Sequence, residues 1–497
     1  MKTITPKENT VRLGVPSLNS AAALAQRSAL ADRAETPSLS TAAIELLRRE
    51  VKGEIIRPTD GKYDEVRTIW NAMIDRRPAL IVRCAEANDV PPALAFARRH
   101  GLQLSIRGGG HNIAGNALCE GGLLLDFSTM RKVRVDAEKR RAYVEPGALL
   151  SDLDEATQAH GLATPVGINS TTGIAGLTLG GGFGWLSRKH GLTIDNLVSV
   201  EVVTAEGRML RASATENTDL FWALRGGGGN FAVVTEFEFQ LHKVGPEIVA
   251  GLIVFPFDQA KEVLTRYREF VKSSPEELNV WGLLRKAPPL PFLPEEVHGR
   301  EVVILVAFHV GDVAAGQKLI DPLLGFGTPH GTHVGAMPYQ DWQKAFDPLL
   351  AGGARNYWKS HNLTELSDEA LDTMIEFARQ LPSPQCEIFI AQVAGAANRV
   401  AAEATAYRHR DAKFVLNVHG RWDDAAEDAA GMDWARAFFL ASAPFASEGA
   451  YVNFMTEEEG GRVAAAYGAN YERLARIKQE YDPENVFRFN QNIRPAR

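Results

Sequence analysis

Arg107-Gly108-Gly109-Gly110-His111-Asn112 follows Leu102-Gln103-Leu104-Ser105-Ile106, an alternating apolar run that reads as a strand. Three consecutive glycines behind a strand permit positive φ and let bare backbone N–H groups approach a ligand. Successive N–H groups in such a turn form a nest for an anion, typically a phosphate. A histidine placed directly after the cradle suggests chemistry. A solvated histidine on a glycine-rich loop is the plainer alternative, and the hexamer alone does not choose between them.

Working outward, Pro78–Cys84 is an apolar strand, and Asn88-Asp89-Val90-Pro91-Pro92 starts a helix that ends at His100-Gly101. A β-α-β unit therefore delivers the cradle. Leu123–Phe127 and Arg141–Gly147 add strands, and Leu149 to His160 reads as a helix. A second cluster, Pro165–Gly184, holds seven glycines in the eighteen residues from Gly167. Glycine costs backbone entropy and packs nothing, so close approach to a flat, polar, extended ligand is the expectation. A turn pair between helices is the alternative. After strands at Leu197–Val203 and Arg208–Ala212 and a helix at Thr218–Leu224, a third cluster runs from Arg225 to Phe231. Ala232–Leu241 closes the region as a long alternating strand. One long ligand held by backbone, such as a dinucleotide, accounts for all three clusters.

Other chemistries are disfavoured. The Rossmann Gly-x-Gly-x-x-Gly at the first strand–helix turn, the Gly-x-x-x-x-Gly-Lys-Ser/Thr loop, His-Glu-x-x-His and Gly-x-Ser-x-Gly are all missing. His330-x-x-His333 sits in a Gly/Pro loop and reads as surface, so no metal is expected. The 497 residues are 45% apolar and 23% charged with a net charge of −7, and no Lys/Arg-rich stretch stands out, so nucleic acid is not an expected partner. No apolar run reaches the ~18 residues of a membrane helix. The polar start, Met1 to Pro16, has no leader pattern. Cys84, Cys119 and Cys386 are scattered. A cytoplasmic protein is expected.

Composition shifts at Val244-Gly245-Pro246. Beyond it, strand-like runs at Ile248–Val254, Val302–Phe308, Ile388–Gln392 and Phe414–His419 alternate with helical runs at 258–272, 313–324, 367–380 and 433–442. The expected class is α+β, with a mainly antiparallel sheet in the second domain. The expected organisation is an N-terminal appendage over 1–52, helical over 17–50, and a cofactor domain over 53–244. A substrate domain over 245–450 and a C-terminal segment over 451–497, with a helix from Gly461 to Glu480, complete it.

Four stretches, Arg107–Asn112, Gly173–Gly184, Leu220–Glu236 and Tyr451-Val452-Asn453 with Phe487–Ile493, together resemble the FAD-linked oxidases of the vanillyl-alcohol-oxidase/p-cresol-methylhydroxylase superfamily, in its berberine-bridge-enzyme-like branch. The resemblance covers residues 55–497. It implies a two-lobed FAD-binding domain of the p-cresol-methylhydroxylase type and an FAD bound covalently through His111. It also implies that Gly108, Gly109 and Gly110 cradle the pyrophosphate, and that Arg107, Asn112 and Gly115 bind the cofactor with them. Gly173, Gly176, Gly180, Gly181 and Gly182 would lie along the flavin and phosphates, with Val233 and Val234 at the adenine. Asn453, Asn490 and Asn492 would return from the C-terminus. Asn169 lines up where many members carry a cysteine that makes a second flavin bond, so a single link is expected.

By the same resemblance Tyr451 is the base, with Lys359 as the cation that activates it and Tyr357 beside it. Trp358, Gln392, Asn417 and His419 would line the substrate pocket. The implied activity is oxidation of a CH–OH group of a small sugar or secondary metabolite, with O2 as acceptor and H2O2 as product. C–N oxidation, oxidative cyclisation, or a dehydrogenase using another acceptor are the alternatives, the last because Ile174 could crowd the flavin face.

Overall fold

The computed structural model describes residues 39–497; the helical reading of 17–38 lies outside the described residues. The glycine cradle leaves the end of a four-stranded sheet ordered Glu54–Ile56, Leu80–Arg83, Leu123–Asp126, Leu104–Arg107, whose last two pairings are parallel. Parallel pairing needs a crossover, and the helix Val90–Arg99 supplies it by burying Val90, Leu94, Phe96 and Ala97. Helix Thr41–Glu50, capped by Ser40, buries Ile44 and Leu47 in that same core. Residues 41–50 thus belong to this lobe and are not an appendage, because an amphipathic helix must cover its apolar stripe.

An antiparallel five-stranded sheet follows, in the order Val133–Asp136, Arg141–Val144, Ala232–Gln240, Leu197–Thr204, Met209–Ser213. The second lobe is built on a seven-stranded antiparallel sheet. Its order is Gly331–Pro338, Glu247–Pro256, Glu301–His309, Leu278–Lys286, Glu387–Gln392, Phe414–Trp422, Arg355–Leu363. The α+β class is therefore as expected. Strand alternation sorts this sheet into two faces. Ile253, Phe255, Leu284 and Ile388 pack under the helices Ala260–Val271, Asp368–Ala378 and Asp428–Ser442. Val254, Trp281, Leu283 and Phe389 pack with Phe183 and Trp185 of the first lobe.

The helix expected over 461–480 is two helices, Val463–Tyr467 and Tyr471–Tyr481, with Gly468 at φ +50° between them. The second buries Leu474 and Ile477 against Leu220 and Phe221. Lys478, fully buried, joins Asn230 O (2.6 Å), Asp482 Oδ2 (2.6 Å) and Phe487 O (3.0 Å). That ion pair seats the C-terminal tail beside the third glycine cluster, where Asn490 Nδ2 donates to Gly229 O at 2.9 Å.

Candidate active site

A long cavity runs between the lobes. Phe127, Val233, Val234 and Phe487 line it from the first lobe, and Arg285, Trp358, Glu387, Asn417 and His419 from the second. Gly108–Gly110, Asn112, Asn169, Gly176, Tyr451, Asn453 and Asn490 also reach it. Gly110 takes φ +74°. A Cβ on Gly109 would lie 2.4 Å from Gly173 N, so the first two glycine clusters meet backbone to backbone.

Several expected cofactor residues serve that packing instead of the cavity. Arg107 spends its guanidinium on Asp126, through Nε at 3.0 Å and Nη2 at 2.7 Å, and pins the turn from behind. A Cβ on Gly115 would strike Ile74 at 2.7 Å. Of the second cluster's glycines expected along the cofactor, only Gly176 lines the cavity. Gly173 abuts Gly109, Gly180 abuts Asn453, Gly181 abuts Tyr407, and Gly182 abuts Thr193. A sequence does not distinguish close approach to a ligand from close approach to a neighbouring chain segment. Ile174 is fully buried in the core, and neither it nor Asn492 is in the lining.

His111 lies flat against Trp70, ring centroids 5.0 Å apart at 20°, and its Nε2 is 3.1 Å from Thr171 Oγ1. Burial lowers its pKa to about 4, with a hydrogen bond to the Thr171 backbone opposing that shift. Asn169 Oδ1 accepts from Thr171 N (3.0 Å) and from Thr171 Oγ1 (2.7 Å). Its Nδ2 donates to Leu350 O at 3.3 Å, and Trp70 Nε1 donates to that same oxygen at 2.8 Å.

Tyr451 accepts from Gly182 N and Asn453 Nδ2, each at 3.1 Å. Burial pushes its pKa to about 12 although both hydrogen bonds pull the other way. The activating cation expected beside it is elsewhere. Lys359 Nζ bonds Thr456 Oγ1 at 3.0 Å, Glu458 at 2.8 Å and Glu459 at 3.3 Å. Tyr357 is bound to Glu458 and accepts from Arg436 Nε at 3.0 Å. The reason is strand parity: along Arg355–Leu363 Trp358 faces the cavity, so Tyr357 and Lys359 take the opposite face. Gln392 also leaves the pocket, with Nε2 donating to Val271 O at 3.3 Å.

Trp358, Asn417 and His419 line the cavity together, with two partners the sequence reading missed. Trp358 stands edge-on to His419 at 4.4 Å and to Phe454 at 5.4 Å. His419 Nδ1 is 3.1 Å from Glu387 Oε1, and Glu387 Oε2 is 2.6 Å from Arg285 Nη1, all three side chains being buried. Burial works to raise the Glu387 pKa, but Arg285 and His419 outweigh it and hold the carboxyl at about 2. Burial lowers the His419 pKa against the pull of Glu387. Among the described residues, His419 Nε2 and Asn417 Oδ1 have no hydrogen-bond partner. The signal for Arg285 and Glu387 was faint: charges at the ends of otherwise apolar runs, Leu283-Leu284-Arg285-Lys286 and Glu387-Ile388-Phe389-Ile390.

Residues 78–213 match the family described as an FAD binding domain, and residues 450–494 match "Berberine and berberine like". An uncharacterised FAD-linked oxidoreductase of Bacillus subtilis is 32% identical over 457 residues, covering 90% of this chain and 98% of its own. The chain belongs to the berberine-bridge-enzyme-like FAD-linked oxidoreductases. Solved relatives of this FAD-linked oxidoreductase include a 6-hydroxy-D-nicotine oxidase from Arthrobacter nicotinovorans. It is 29% identical with a TM-score of 0.82, over 92% of this chain and 100% of its own. A xylooligosaccharide oxidase from Myceliophthora thermophila in complex with xylobiose is 25% identical with a TM-score of 0.79, over 92% and 100%. The residues present fit FAD. A Cβ on Gly176 would meet no protein atom within 4 Å, so the backbone there is open to a ligand. The Gly108–Gly110 turn offers its bare backbone to the same space.

Proposed function

We propose that this FAD-linked oxidoreductase oxidises a CH–OH group of a small organic substrate, sugar or secondary metabolite, with O2 as acceptor and H2O2 as product. The observation that carries the reading is the Arg285–Glu387–His419 chain lining the cavity with His419 Nε2 unpartnered. Bound FAD supplies the two-electron acceptor. Arg285 keeps Glu387 ionised. Glu387 accepts the Nδ1–H of His419, which fixes the tautomer and leaves a lone pair on Nε2. That lone pair takes the proton of the substrate hydroxyl as hydride leaves the adjacent carbon. Asn417 Oδ1 accepts a second substrate hydrogen bond. Tyr451, fully protonated at neutral pH, positions the substrate through its hydroxyl. The base is thus reassigned from Tyr451 to His419.

His111, a neutral imidazole at neutral pH, carries the single covalent flavin link; Asn169 supplies no second nucleophile. Acid-precipitated protein is expected to stay yellow, and His111→Ala to release its flavin.

A second reading is oxidation at C–N, favoured by the aromatic wall of Trp70, Trp281, Trp358, Phe389 and Phe454, which suits a flat ring. It is also supported by the likeness to a 6-hydroxynicotine oxidase. An anaerobic panel of sugars, alcohols and amines, followed by admission of air, tests both. Bleaching by an alcohol with recovery and H2O2 release is expected. Bleaching by amines alone selects the second reading, bleaching without recovery in air points to another acceptor, and no bleaching overturns both.

A further inference from the structure

Thr171 has one hydroxyl proton and two close neighbours. The Oδ1 of Asn169, at 2.7 Å, is an acceptor only. The amide cannot be reversed, because its Nδ2 already donates to Leu350 O at 3.3 Å and its Oδ1 already accepts Thr171 N–H at 3.0 Å. Two oxygens at that separation need a proton between them, so the Thr171 hydroxyl hydrogen points at Asn169. What remains at Thr171 Oγ1 is a lone pair, 3.1 Å from His111 Nε2. A lone pair there demands that Nε2 carry the hydrogen, and the other ring nitrogen, Nδ1, is then the free base.

The rest of the surroundings holds the ring in that state. Trp70 stacks on the imidazole, and its indole N–H anchors on Leu350 O, the same carbonyl that orients Asn169. Asp347, three residues before Leu350, accepts Ser170 N at 2.9 Å and the Ser170 hydroxyl as well. The short 3-10 helix Asp347–Leu350 of the second lobe therefore clamps residues 169–171 and Trp70 together around His111.

We propose that Asn169 and Thr171 form a tautomer lock that makes Nδ1 of His111 the nucleophile for flavin attachment, so Asn169 directs the single link from a position where relatives place a second one. The proposal rests on the reading that His111 carries the tether. In the attachment, a bond forms between Nδ1 and the 8α carbon of FAD, and one C–H bond of that methyl group breaks. Its proton leaves to solvent, and the Nε2 proton leaves past Thr171 Oγ1. The electron pair of the broken bond passes to the isoalloxazine and then, with two protons, to O2 as H2O2. Thr171 and Asn169 are positioning residues, since neither touches the reacting carbon.

The test is the time course of covalent incorporation after FAD is added to purified flavin-depleted protein, read by colour retained in acid and by the mass of the His111 peptide. Total bound FAD is measured in the same samples. Thr171→Val is expected to slow covalent incorporation on the order of tenfold or more with total binding unchanged. Thr171→Ser should restore the rate. Asn169→Ala should also slow it, because the freed Thr171 hydroxyl then donates to Nε2 and leaves the hydrogen on Nδ1. Nuclear magnetic resonance of the wild-type flavin peptide should locate the bond at Nδ1. A bond at Nε2, or wild-type rates in both Thr171→Val and Asn169→Ala, overturns the lock while leaving the tether standing. Wild-type protein that loses all its flavin in acid overturns the tether and the lock together.

Discussion

Glu387 Oε1 lies 3.1 Å from Nδ1 of His419, and this contact makes Nε2 the unpartnered nitrogen of a ring that lines the cavity. His419→Ala is expected to slow flavin bleaching by substrate about a hundredfold or more, the usual scale for a lost general base. Glu387→Gln, which keeps the shape but not the charge, should slow it less. The pH dependence has a definite sign. The base form of His419 is the neutral ring, and burial lowers its pKa, so the bleaching rate should hold steady down through the ordinary histidine range and fall only below it. A rate that rises instead toward pH 12 and persists in His419→Ala would return the base to Tyr451, whose pKa is about 12.

Gly109 and Gly176 separate the two uses of glycine. A Cβ at Gly109 would sit 2.4 Å from Gly173 N, backbone against backbone, so Gly109→Ala should destabilise the protein whether or not FAD is bound. At Gly176 a Cβ meets no protein, so Gly176→Ala should leave the flavin-free melting temperature unchanged while weakening FAD uptake. Thermal melts of both variants with and without FAD decide this. Equal losses at the two positions would mean that Gly176 does not face the cofactor.

Much of the first lobe was legible because its signals are local. Helix Thr218–Leu224 and strand Ala232–Gln240 end within a residue of where periodicity and glycines end them. Strand Leu278–Lys286 escaped because it is buried along nearly its whole length and shows no two-residue alternation. The expected site is only partly brought together for a related reason. Trp358, Asn417 and His419 line the cavity, but the resemblance does not carry strand parity, so it places Lys359 and Tyr357 on the same side as Trp358. Arg285 and Glu387 are neighbours only across a strand pairing, Arg285 opposite Glu387, that joins positions 102 apart. No spacing rule reaches across such a distance.

Lys359 is a structural cation, and its replacement should show it. Its ammonium, 4% exposed, joins Glu458 and Glu459 and ties the strand Arg355–Leu363 to the C-terminal segment. Lys359→Met removes one side of a largely buried charge network, a loss on the order of 3 kcal/mol. Differential scanning calorimetry should show a lower melting temperature, while the pH profile of flavin bleaching stays that of the wild type. A pH profile displaced in Lys359→Met would put the lysine back in the catalytic apparatus.

Asp154 makes stability fall with rising pH. It is buried in the helix Leu150–Gln158, where Gln343 Nε2 of the second lobe donates to its Oδ2 at 3.1 Å. Burial raises its pKa to about 7, with Gln343 and Lys344 opposing. The folded protein therefore holds this proton more tightly than the unfolded chain, whose aspartates titrate near the ordinary ~4. The contribution to stability is fully present below that ordinary value and is lost as pH rises through about 7. At about 1.4 kcal/mol per unit, the full loss is on the order of 4 kcal/mol. Asp154→Asn carries no proton to lose and can still accept from Gln343. Melting temperatures of wild type and Asp154→Asn, measured from pH 5 to pH 9, should diverge as pH rises, with the variant melting higher on the alkaline side. Parallel curves across that range would mean that Asp154 is already ionised in the folded protein.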